Sequence, residues 1–72
     1  MPRTETEMMT DAFECYANLS PETLYCDGEI SHAEAMEKAR RLNARLDKLF
    51  VEMGREVGES EAWDWWMKHR SA

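Results

Sequence analysis

The 72-residue sequence holds only two valines and one isoleucine. β-Branched residues favour pleated strands, and no stretch alternates apolar and polar residues with period two, so a β architecture is excluded. Three scattered glycines leave no Gly-rich loop to cradle phosphate. Two cysteines, Cys15 and Cys26, are too few for a disulfide scaffold, and in a reducing compartment their expected role is packing. No apolar run approaches the roughly 18 residues that span a bilayer, and the opening Met1-Pro2-Arg3-Thr4-Glu5 has no apolar core of a secretory signal. A cytoplasmic protein is expected. Basic residues are nearly missing from the first third: residues 1–31 set Arg3 against seven acids, Glu5, Glu7, Asp11, Glu14, Glu22, Asp27 and Glu29, so the whole net charge of −6 lies there. Nonspecific nucleic-acid binders gain affinity by neutralising phosphates with Lys and Arg, so no direct nucleic-acid partner is expected.

What is present is helical. Thr4 and Glu7 stand in capping-box spacing before Met9, Ala12, Phe13 and Tyr16, which share one helical face. Ser20 followed by Pro21 reads as the N-cap and first position of a short second helix that Asp27-Gly28 ends. Ser31 and Glu34 repeat the capping-box spacing ahead of the longest segment, about 32–53, which Gly54 closes. In that segment Ala35, Ala39, Leu42, Leu46, Leu49 and Met53 recur at intervals of 4, 3, 4, 3 and 4 and form a narrow seam. Gly58, with Val57 and Ala62 as a hydrophobic staple, opens a last helix expected to place Ala62, Trp63, Trp66 and Met67 on its inner face. The expected fold is one all-α domain over residues 1–72, a bundle of about four helices with one long central helix and with residues 1–4 frayed. A chain this short buries only about 60 % of its unfolded surface, and its core rarely supplies more than about 3–5 kcal/mol, so association with a second chain is a natural expectation.

Candidate binding residues follow from the same spacing. Lys38, Arg41, Arg45 and Lys48 line one flank of the seam, a basic stripe partly answered by Glu34 and Glu37 one turn earlier. Burying one Trp removes about 150–250 Å² from water, worth roughly 4–6 kcal/mol, so Trp63 and Trp66 are expected inside. Trp65, off their face, is the expected partner contact, since Trp is enriched at binding hot spots. Metal binding would need Cys15, Cys26, His32 and His69 to converge at a spacing unlike any zinc pattern. No nucleophile stands with a base and an orienting group. Neither metal, cofactor nor catalysis is expected.

From Glu29 to Met67 the chain resembles, without a gap, the Hha/YmoA family of small bacterial regulators. The family's E-L-S-D-N-E corresponds to Glu29-Ile30-Ser31-His32-Ala33-Glu34, and its D-H-R-L-A-E-L to Asn43-Ala44-Arg45-Leu46-Asp47-Lys48-Leu49. After a spacer of ten in both, S-S-V-W-K-F-I corresponds to Ser60-Glu61-Ala62-Trp63-Asp64-Trp65-Trp66. Upstream, Ser20-Pro21-Glu22-Thr23-Leu24 is similar to T-I-D-T-L. The resemblance implies a compact four-helix protein that associates with the nucleoid protein H-NS and modulates transcription without reading DNA itself. It also implies that Asn43, Arg45 and their neighbours face the partner, with Leu46, Leu49 and Trp63 supporting them from the core. The chain departs from the family where Asn43 and Ala44 replace the polar pair Asp-His, and in its acidic net charge. Two other classes stay open on the residues alone. One is an acidic protein, from a bacterium or mobile element, whose N-terminal third mimics DNA toward a DNA-handling enzyme. The other is a structural homodimer closed through the Leu seam or the Trp helix.

Overall fold

The computed structural model describes residues 3–25, 28 and 30–70. Four α-helices and, among the described residues, no strand make up the fold: α1 (Glu5–Asn18), α2 (Pro21–Leu24), α3 (His32–Met53) and α4 (Glu59–Arg70). Three of the four start signals appear as capping hydrogen bonds. Glu7 N–H donates to Thr4 Oγ1 at 3.1 Å, Thr23 N–H to Ser20 Oγ at 3.4 Å, and Glu34 N–H to Ser31 Oγ at 3.2 Å. These bonds satisfy backbone donors that a helix start otherwise leaves orphaned. α3 stops where Gly54 turns left-handed, at φ 73°, with Arg55 N–H reaching back to Phe50 O at 3.1 Å. α2 is only one turn long and ends at Leu24, before Asp27, which with Cys26 lies outside the described residues. The end expected to fray is tied down at Arg3 and Thr4: Thr4 caps α1, and Arg3 Nη1 donates to Asp11 Oδ2 at 2.9 Å.

α1 is the hub. Its side chains Ala12 and Cys15 meet Leu46 and Leu49 of α3, all at most 3 % exposed. Its Met9 and Phe13 meet Val57 and Ala62 at the start of α4. The α3 seam therefore faces its own chain. α4 packs on α1, and no Cα of α4 comes within 8 Å of one in α3 among the described residues. Tyr16 fastens the α3–α4 connection, its hydroxyl donating to Val57 O at 2.6 Å. Burial and the nearby carboxylates of Glu59 and Glu56 hold the Tyr16 hydroxyl above its ordinary pKa.

The inner face of α4 differs from the expected one. Ala62 is fully buried and Trp65 and Trp66 pack half-buried on the core, whereas Trp63 is 38 % and Met67 55 % exposed. The arc of α4 that packs on the core is thus Ala62, Trp65 and Trp66, spaced i, i+3 and i+4, with Trp63 and Met67 on its exposed side. Both arcs contain Ala62 and Trp66, so periodicity over twelve residues leaves the choice to the partner helix. Trp65 marks the outcome, packing against the cluster of Met9, Phe13, Val57 and Ala62, while Phe13 stacks on Trp66, common to both arcs, at 4.6 Å and meets Trp63 edge-on at 4.8 Å.

Candidate partner-binding site

The structure brings together two of the basic residues singled out by spacing. Lys38 and Arg41 line a groove of about 360 Å³ between α2 and α3, together with Asn18, Thr23, Leu24 and Leu42. The packing of one-turn α2 makes this groove: Ser20 caps it and Pro21 starts it, so Leu24 is buried beside the half-buried Leu42 of α3. Arg41 stays outside, its side chain 78 % exposed and its Nε 3.5 Å from Glu37 Oε1. Glu37 also pairs with Arg40. The stripe is therefore partly answered by its own helix, in the i, i+4 geometry read from the sequence. The site offers an apolar floor under a cationic rim.

The other candidates are placed elsewhere. Asn43 is exposed and turns back on its helix, Nδ2 donating to Ala39 O at 3.0 Å. Lys48 lies farther along α3, beside Val51. Trp65, expected to point to a partner, is half-buried against the core and stacks on His69 with ring centroids 4.1 Å apart. His69 Nδ1 lies 2.8 Å from Trp65 O, and since a carbonyl only accepts, that nitrogen carries the proton.

Arg45 pairs, from the exposed side, with a residue that spacing alone did not single out. Asp11 is buried at the α1–α3 seam, and Arg45 Nε stands 2.7 Å from its Oδ1 while Arg3 holds its Oδ2. The Arg45 N–H is aimed off the line, so this contact is an ion pair, and among the described residues Oδ1 accepts no hydrogen bond. Arg3 reaches on to Glu52 of α3. The signal for Asp11 was present, because Met8, Asp11, Ala12 and Cys15 fall at i, i+3, i+4 and i+7, a face as regular as the one through Met9. Burial, and next to it the Asp11 charge, push the Cys15 thiol pKa up. Such a thiol is a packing group and a poor nucleophile.

Among the described residues no three His, Cys, Asp or Glu side chains gather closely enough to hold a metal. His32 instead lies with its Nδ1 3.0 Å from the Tyr25 hydroxyl, joining the end of α2 to the start of α3. Among the described residues no helix is long and apolar enough to cross a membrane. Neither protein-family models, curated proteins nor solved structures give a match to this chain.

Proposed function

We propose that the chain is a cytoplasmic protein-binding module that catalyses no reaction of its own and acts on transcription through an H-NS-like nucleoid protein. The observation that carries the binding reading is the α2–α3 groove, where buried Leu24 and half-buried Leu42 lie under Lys38 and Arg41. A floor of this kind takes an apolar anchor, and the rim selects a segment that is acidic around it. The choice of partner rests on the resemblance over Glu29–Met67, whose second block lies on α3 just past Leu42.

Calorimetric titration of the purified chain with an H-NS-like protein tests the reading. Binding is expected, weakening between about 50 and 200 mM salt as exposed charges are screened. The double reversal Lys38→Glu/Arg41→Glu is expected to weaken it about tenfold or more, while Lys38→Gln/Arg41→Gln, which makes no like-charge contact with Glu37, should weaken it in the same direction and shift stability by no more than about 1 kcal/mol. An affinity unchanged by that reversal would remove the groove from the reading, and failure of the wild-type chain to bind would remove the partner.

A further inference from the structure

Among the described residues α4 packs against one other helix only, α1, and it carries Glu59, Trp63, Met67 and Arg70 at intervals of 4, 4 and 3, a stripe along one flank. Trp63 and Met67 are exposed, and no other two exposed large apolar side chains lie one turn apart among the described residues. The flank is held in shape from beneath. Trp63 meets Trp66 edge-on at 6.3 Å and Phe13 at 4.8 Å, and the Arg70 guanidinium stands 4.8 Å over the Trp66 ring. Rigid aromatic side chains lose little freedom on association, which makes such a flank a good anchor.

Its charges identify what fits on it. The first turn of α4 is acidic, with Glu59 and Glu61, and the last is basic, with Lys68, His69 and Arg70. Laid antiparallel across a two-fold axis level with position 65, two α4 helices set residue 63 of one opposite residue 67 of the other. Residue 70 then faces position 60, one step from Glu59. Trp63 thus meets Met67 twice at the centre, and Glu59 meets Arg70 at both ends. Opposed helix termini add a favourable dipole arrangement. Two-fold interfaces need this kind of self-complementarity, in which residue i contacts j and j contacts i. We propose that the α4 flank is a homodimer interface, covered by α4 of a second copy of this chain in antiparallel register. This surface is separate from the α2–α3 groove, and its test needs no other protein.

Sedimentation equilibrium of the purified full chain, from about 5 μM to 1 mM, should show a dimer that dissociates on dilution. Glu59→Arg and Arg70→Glu each turn two opposite-charge contacts into like-charge ones and should raise the dissociation constant about 10- to 30-fold. The double variant Glu59→Arg/Arg70→Glu restores opposite charges across the axis and should return to within about threefold of wild type. Residues eleven apart on one helix lie about 16 Å from each other, so rescue reports contact between copies. Trp63→Ala should weaken the dimer about 100-fold. A wild-type chain that stays monomeric throughout, single reversals that leave a dimer intact, or a double variant as weak as the singles would each overturn the proposal.

Discussion

Asp11 gives the sharpest test of how the two long helices are held together. Its side chain is 8 % exposed, whereas those of Arg45 and Arg3 are 60 % and 36 % exposed. The two sides of the clamp therefore respond differently to loss. If the carboxylate goes, both guanidinium groups remain in water at little cost. If Arg45 goes, the carboxylate stays dry and keeps only the Arg3 contact. Asp11→Asn, which preserves shape and removes the charge, should cost about 1–2 kcal/mol in the wild-type chain, the difference between charge-assisted and neutral bonds. With an m-value of about 1 kcal/mol/M, the urea midpoint falls by about 1–2 M, a large share of the stability of a core this size. In an Arg45→Ala background the same change relieves a stranded charge, so its cost should shrink to near zero or reverse sign. Urea unfolding of the four chains, followed by far-UV circular dichroism at neutral pH, measures the coupling, expected at about 1–2 kcal/mol. If the two substitutions add within about 0.5 kcal/mol, the clamp is not an energetic unit and the reasoning fails.

Leu49 is fully buried between α1 and α3, so Leu49→Ala should cost about 2–5 kcal/mol and leave the chain largely unfolded at room temperature, as seen in its circular dichroism. Gly54→Ala should cost about 1 kcal/mol in a thermal melt; an added Cβ meets nothing within 4 Å, so the loss is purely that of the left-handed φ. For Cys15 and Tyr16 the folded pKa lies above the ordinary values near 9 and 10. The fold therefore disfavours both anions: their contribution is complete below pH 9 and is lost as pH rises through the raised values, which alkaline unfolding curves should show as falling stability above pH 9. In a Cys26→Ser chain, Cys15 should react with a thiol reagent only as fast as the protein opens, so rapid native-state labelling would contradict its burial.

Three of the four helix starts are readable because each rests on a local hydrogen bond between residues three apart: Thr4 with Glu7, Ser20 with Thr23, Ser31 with Glu34. The seam of α3 was readable because 22 residues fix a stripe direction well. α4 is twelve residues long and holds three Trp, so two inner arcs fit its composition equally. The choice between them is made by packing on α1, where Trp65 joins the cluster of Met9 and Phe13, a contact across the fold that no local pattern encodes. The ion pair of Arg45 is not legible for a related reason. Spacing set it in a row with Lys38 and Arg41, but its partner, Asp11, lies on another helix. The groove under Lys38 and Arg41 escaped notice because Leu24 and Leu42 become neighbours only when α2 folds against α3.

Part of the segregation of charge along the sequence is answered within the fold. Acids of the N-terminal third pair with bases from the rest of the chain: Asp11 with Arg45, and Glu5, 3.7 Å away, with Arg55, which also holds Glu61. Exposed pairs of this kind contribute about 0–1 kcal/mol each, too little to hold the bundle. Asp11, dry at the α1–α3 seam, sets instead which side of α1 turns toward α3. Three carboxylates of α1 are exposed: Glu5, 3.7 Å from Arg55, and Glu7 and Glu14, which flank Asp11 at intervals of four and three and, among the described residues, stand in no ion pair. A protein mimicking DNA charge along α1 would lean most on the last two. Glu7→Lys/Glu14→Lys should shift stability by no more than about 0.5–1 kcal/mol, whereas Asp11→Lys should unfold the chain by placing a cation beside two others. If a basic DNA-handling enzyme binds the wild-type chain and loses it on the Glu7/Glu14 reversal, the acidic third is a recognition surface after all. If binding to every partner survives that reversal, the charge of this third serves the fold.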